Sequence, residues 1–148
     1  MSMNFDPIFL EVDDVIAIHR FAIEEYSAEG IDGVAVYAAG QPWLLDYNLL
    51  ESAVFAPRAT MFGEYLHSSL AAMCSSYWVS LVMNHSFRDG NKRVGLLAAE
   101  TFLRLNDCEM VFDNDQAREI TLSIAKGELK REDLQALLEN NITPLSGI

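Results

Sequence analysis

The sequence predicts an all-α protein, a compact helical bundle in which residues 1–148 form a single domain. Three observations carry that reading. Two long segments, at about residues 66–83 and 91–106, supply the most apolar helical stretches, the first of them apolar nearly all round. No stretch alternates apolar and polar residues over a useful length, and no repeat, linker or low-complexity run divides the chain. A chain of 148 residues buries roughly 70% of its unfolded surface, so neither a disulfide nor a metal is required to hold it. With 51% apolar and 22% charged residues, a packed core is expected and disorder is not.

The elements follow in order. After an extended opening, Asp13 or Asp14 can help cap a helix to about Ser27, with Val15, Ile16, Ile18, Ile23 and Tyr26 as its apolar positions. Residues 30–42 are rich in glycine and alanine without periodicity and read as a loop. Asp46 opens a short helix, "DYNLLESAVFA", that Pro57 stops. Residues 57–67, "PRATMFGEYLH", mix proline, glycine and aromatics and suit a flap or long loop more than a regular element. The most hydrophobic helix comes next, with Leu66, Leu70, Met73, Tyr77 and Leu81 on one stripe. Its longest apolar run, Leu70–Met83, is interrupted by serines and too short to span a bilayer. A second central helix opens at Asn91 and carries Val94, Leu97, Ala98, Phe102 and Leu105. An "EMVF" connector, a helix from Asp113 or Asn114 to Lys126 and Gly127, and an amphipathic helix near Glu132 to Asn140 complete the chain.

The formal net charge of −12 argues against a nucleic-acid groove or an anionic membrane surface, and favours a basic partner segment. Cys74 and Cys108 lie in apolar contexts without ligand spacing and read as reduced core thiols. The opening "MSMNFDPIFLEVDD" has neither a positive region nor an apolar core of a secretory signal, so a cytoplasmic location is expected.

Against this acidic background, "NHSFRDGNKRVG" gathers Arg88, Lys92 and Arg93 beside His85 and Asp89, between the two central helices. A loop held at both ends by buried helices presents polar groups at fixed positions. Phe87 is the apolar anchor that orients the rest. Gly90 permits backbone geometry that other residues resist, and the helix opening at Asn91 directs free N–H groups and the positive end of its dipole outward. Lys92 adds a point charge and Arg93 a planar fork, a combination suited to polyphosphate. One carboxylate, Asp89, beside phosphates matches the usual holding of Mg²⁺, with waters and phosphate oxygens completing its shell. The His85 imidazole can take a proton from a hydroxyl that attacks a bound phosphate. The loop therefore reads as a phosphoryl- or nucleotidyl-transfer site. Blander roles stand beside these: Asp89 as a helix cap, Arg88 as a solvated side chain, His19 and His67 as structural or interface residues. Phe62 and Tyr65 either rim a target groove on the flap or pack beneath it.

The run "HSFRDGNKR" resembles the HxFx(D/E)GN(G/K)R signature of the Fic/Doc family, and the similarity extends from "FLEVDDVIAIH" through "LLESAV" to the C-terminal helices. The resemblance implies the Fic fold, with His85 and Arg93 catalytic, Asp89 the Mg²⁺ ligand, and Gly90, Asn91, Lys92 and Arg93 contacting the phosphates of ATP. Within the family, glycine after Gly-Asn is typical of AMP transfer from ATP, and lysine of death-on-curing toxins. Lys92 therefore implies a toxin kinase that places the γ-phosphate of Mg-ATP opposite His85, with a threonine of elongation factor Tu as target. AMP transfer and a non-catalytic nucleotide-binding module are the alternatives. Ser86 stands where the family has proline, and Leu96 where AMP-transferring members have arginine. In the "LLDYNLLESAVFAP" segment, Leu45, Asn48 and Ala56 replace residues common in the family. The family's inhibitory pattern (S/T)xxxE(G/N) is absent, which implies a separate antitoxin whose C-terminal segment covers the site. The acidic C-terminal third is either a solvated face or a dock for a basic antitoxin segment.

Overall fold

The computed structural model describes residues 6–25 and 44–145. The expected end of the first helix at Ser27 and the loop over residues 30–42 lie outside them. Helix α1, Val12–Glu25, starts after an extended stretch; the Asp14 carboxylate reaches back to the Glu11 N–H at 2.7 Å and so satisfies one donor at the helix start. Helix α2, Tyr47–Phe55, is capped by Asp46, whose side chain accepts from the Leu49 N–H at 3.1 Å, and it passes into a 3₁₀ turn, Ala56–Arg58, at Pro57. Arg58 ties this turn to the extended opening: it donates to the Leu10 carbonyl at 2.7 Å and lies over the rings of Phe9 and Phe55.

Helix α3, Leu70–Met83, is the centre of the molecule. Ser69 caps it by accepting from the Ala72 N–H, and every residue from 71 to 78 is buried. The expected stripe began four residues too early, because Leu66 lies ahead of this cap and is 54% exposed. Helix α4, Asn91–Leu105, packs along α3, and α1 packs against α4 from another side. The two central helices approach so closely at Gly95 that a Cβ there would lie 2.5 Å from Val82 Cγ2 and 3.0 Å from the Trp78 carbonyl oxygen. Trp78, fully buried, spends its indole N–H on the Thr121 hydroxyl of helix α5, Asn114–Ala125, at 3.0 Å. Helix α5 opens with a reciprocal box between Asp113 and Gln116 and ends before Gly127, whose φ of 76° suits a left-handed stop. Helix α6, Arg131–Glu139, closes the core over α3 with Leu134 and Leu138.

Two small two-stranded sheets qualify the helical expectation without changing its class. Strands β1, Thr60–Met61, and β2, Glu64–Tyr65, pair in antiparallel fashion across Phe62 and Gly63, so the flap is a regular hairpin rather than a long loop. The "EMVF" connector contributes to a strand as well: β3, Cys108–Met110, pairs antiparallel with β4, Ile142–Pro144, placing Glu109 opposite Thr143. At the junction of α4 and β3, the Asn106 amide accepts from the Ile8 N–H and donates to the Ile8 and Phe102 carbonyls. Among the described residues no helix is long and apolar enough to cross a membrane.

Candidate active site

The motif loop leaves α3 at Asn84 and enters α4 at Asn91, and Ser86, Phe87 and Asp89 tie it to its neighbours. The Ser86 carbonyl accepts from the backbone N–H groups of Leu45 at 2.8 Å and Asp46 at 3.3 Å, while Phe87 forms an isolated antiparallel bridge with Leu44. These bonds fasten the loop to the chain entering α2. On its other flank, the buried Phe87 ring stacks on His19 of α1, centroids 4.0 Å apart and planes 10° apart. Asn91 then closes the loop from within: its Oδ1 accepts from the Phe87 N–H at 3.1 Å and its Nδ2 donates to the Phe87 carbonyl at 2.8 Å. The Asn91 side chain is thus committed to shaping the loop, and what it offers a ligand is its backbone N–H.

His85 stands exposed on this fastened loop with a φ of 52°. Left-handed backbone at a non-glycine residue costs about 1–3 kcal/mol and persists where surrounding contacts impose it, as the Ser86 and Phe87 tethers do here. Ser86 itself is fully buried, and its hydroxyl has no hydrogen-bond partner among the described residues.

Gly90 is the residue that caps α4, with a φ of 83° and no side-chain cap. The helix-capping role weighed for Asp89 is therefore not the one observed. Its Oδ1 instead accepts from the Gly90 N–H at 2.8 Å, which turns the exposed carboxylate back over the helix start and leaves further lone pairs for a cation. The N–H groups of Asn91, Lys92 and Arg93 occupy the first turn, without intrahelical acceptors, at the positive end of a 15-residue helix. Lys92 is exposed, Arg93 half-buried, and Arg88 exposed. One carboxylate, a run of backbone donors and two cations suit a triphosphate that brings its Mg²⁺ with it. No group of three or more His, Cys, Asp or Glu able to hold a metal occurs among the described residues.

The flap divides its two aromatics. Phe62 sits at the hairpin turn with a φ of 53° and is 98% exposed, whereas the Tyr65 ring packs on Phe9 with centroids 5.7 Å apart. His67 is half-buried beside Arg131, and desolvation, then that guanidinium, lowers its pKa.

His19 is the residue of the site that motif reading passed over. Its Nε2 lies 3.0 Å from the Asp89 carbonyl oxygen, and since a carbonyl only accepts, Nε2 carries the proton. Burial pushes the imidazole below its ordinary pKa; the Asp89 carbonyl and then the Asp89 charge oppose that shift. A signal was present in the sequence: Val15, His19, Ala22 and Ile23 form the buried stripe of α1, and a histidine on an apolar stripe requires a partner.

A helical domain with a glycine-started central helix, an exposed histidine, a carboxylate and two cations in one loop and helix start has the make-up of the Fic class. The Fic/DOC family model matches residues 9–103, and the chain belongs to that family. Within it the resemblance falls on the Doc side. The chain is 34% identical over 101 residues to toxin Doc of Mycolicibacterium smegmatis (strain ATCC 700084 / mc(2)155), covering 67% of this chain and 78% of that protein. It is 28% identical over 117 residues to protein kinase doc of Escherichia phage P1, covering 79% and 82% respectively.

Proposed function

We propose that the protein is a Doc-type toxin kinase of the cytoplasm, which transfers the γ-phosphate of Mg-ATP to a protein hydroxyl. A threonine of elongation factor Tu is the proposed target, and arrest of translation the outcome. The observation that carries the reading is Lys92 at the second position of α4, two residues after the glycine cap whose N–H holds the Asp89 carboxylate. An ammonium there fills the place that glycine leaves open in AMP-transferring relatives, and the names of the two similar proteins, toxin Doc and protein kinase doc, agree with it.

In this reading His85 takes the proton of the target hydroxyl as its oxygen bonds to the γ-phosphorus; the bond from that phosphorus to the β-γ bridging oxygen breaks, and ADP leaves. Lys92, Arg93 and the first-turn N–H groups hold the phosphates and offset the developing charge, while Asp89 holds Mg²⁺, which when bound neutralises phosphate oxygens. The flap offers the target an extended edge, with Phe62 projecting beside it. Restraint comes from an antitoxin whose C-terminal segment covers the site, and the acidic C-terminal third of this chain, of net charge −12 overall, suits a basic segment of the same partner.

The test is transfer in bacterial lysate from ATP labelled at the γ- or the α-phosphate, with His85→Ala as control. Label from the γ-position that disappears in His85→Ala is the expected result. Label from the α-position makes the protein an AMP transferase. Tight Mg-ATP binding without transfer makes it a binding module.

A further inference from the structure

We propose that His19 is a positioning residue of the site: from α1 it sets the peptide plane between Asp89 and Gly90 and, through that plane, the direction of the Asp89 carboxylate. For its effect on phosphate transfer this inference rests on the function proposed above; for its effect on the loop it rests on geometry alone.

Two hydrogen bonds meet on one peptide unit. At its carbonyl end, the Asp89 oxygen accepts from His19 Nε2 at 3.0 Å. At its amide end, the Gly90 N–H donates to Asp89 Oδ1 at 2.8 Å. A peptide unit is planar, so a donor that fixes the carbonyl direction fixes the opposite direction of the N–H as well. The N–H in turn fixes the carboxylate that reaches back to it. The imidazole is therefore linked to the carboxylate by three rigid pieces, and rotation of the 89–90 peptide would release it.

The ring that makes this contact is itself immobilised. It is buried, 1% exposed, and lies flat on Phe87 at 4.0 Å. One imidazole thus holds Phe87 by its face and Asp89 by its edge, two loop residues whose relative position determines where the metal-bearing group stands. The cap leaves no slack: a Cβ on Gly90 would meet Ile23 Cδ1 at 3.3 Å and His19 Cδ2 at 3.7 Å, so α1 abuts the loop at this point. A histidine that merely fills the core requires some acceptor for its N–H, but not the onward bond from Gly90 to the Asp89 carboxylate.

Two variants separate packing from direction. His19→Phe keeps an aromatic face on Phe87 and removes the donor; His19→Gln removes the ring and keeps an N–H donor of similar reach. In ligand-free protein, amide exchange at Gly90 followed by NMR is expected to accelerate about tenfold in His19→Phe, the size of effect one buried hydrogen bond supports. His19→Gln is expected to stay within about threefold of the parent. Amides in the middle of α4, at Ala98 and Phe102, stay unchanged in both variants. With γ-labelled ATP, the Mg²⁺ concentration for half-maximal transfer rises about tenfold in His19→Phe, while kcat at saturating Mg²⁺ changes less than about threefold, and His19→Gln restores the requirement. Unchanged Gly90 exchange and Mg²⁺ requirement in His19→Phe overturn the proposal. Should that variant fail to fold, His19→Gln decides, because Gly90 exchange as fast as in His19→Ala overturns it too. If the parent transfers no γ-label while Gly90 responds as described, the kinase reading fails and the positioning role stands.

Discussion

Substituting Gly95 by alanine sets two sizeable effects against each other. In a helix interior, glycine to alanine favours the fold by about 1 kcal/mol through backbone entropy alone. Here the new Cβ would lie 2.5 Å from Val82 Cγ2, 3.0 Å from the Trp78 carbonyl oxygen and 3.3 Å from the Val82 nitrogen. Carbon atoms pack at about 3.5–4.0 Å, so the first contact alone requires a separation of about 1 Å. Val82 is β-branched and held to one helical rotamer, and the other two atoms belong to the α3 backbone, so the helices themselves must part. Overpacking of this kind costs about 1–3 kcal/mol, and a contact with backbone falls at the upper end. After the propensity gain, a net loss of about 2 kcal/mol remains, or roughly 4–8 °C in melting temperature for a domain of this size. Thermal and urea melts of Gly95→Ala measure it directly. In a Val82→Ala background, which removes the nearest atom, the same change is expected to cost at least about 1 kcal/mol less. A Gly95→Ala protein that melts at or above the parent temperature would refute the close-approach argument.

Three further outcomes follow from buried polar groups. Ser86→Ala removes a buried hydroxyl without a partner among the described residues and is expected to stabilise by about 1 kcal/mol in urea unfolding; a loss of that size would show that the hydroxyl is satisfied in solution. Thr121→Val leaves the Trp78 indole N–H without its acceptor and is expected to cost about 1–3 kcal/mol, with Thr121→Ser recovering most of it. Glu100, half-buried on α4, has its carboxyl raised by desolvation, partly offset by Arg104. Its charged form is therefore disfavoured by folding, a cost present at neutral pH that fades as pH falls through the raised folded value and is gone below the unfolded value. Glu100→Gln is expected to raise the melting temperature at pH 7 and leave it unchanged near pH 3.5; an equal shift at both values would remove the charge from the explanation.

How much was legible depended on how local the determining contacts are. Asp46 and Asp113 announced the starts of α2 and α5 because a cap acts within four residues, and Gly90 announced the start of α4 for the same reason. Leu66 fits the α3 period by spacing, yet Ser69 starts the helix after it; periodicity locates a face and not an end. The pairing of Cys108–Met110 with Ile142–Pro144 was hidden because three-residue strands carry no alternation and their partners lie more than 30 positions apart. At the site, residue types and spacing located the motif loop and the start of the helix that follows it. What holds the loop in shape was not legible: the bond from His19 to Asp89 crosses 70 positions, and the double bond of Asn91 to Phe87 competes with a ligand role that the same residue type would also suit.

The three hydrogen bonds of Asn106 have a kinetic side. Two of them close a loop from Ile8 that spans 98 positions, the longest such tie among the hydrogen bonds described, whereas α3, the motif loop and α4 form a local helical hairpin. Local contacts form before distant ones reward the entropy of closure, so the hairpin that carries His85 and Gly90 folds early and the Asn106 closure comes late. Weakening that closure should leave the folding rate almost unchanged and accelerate unfolding, so that Asn106 governs how long a folded molecule lasts rather than how fast one is made.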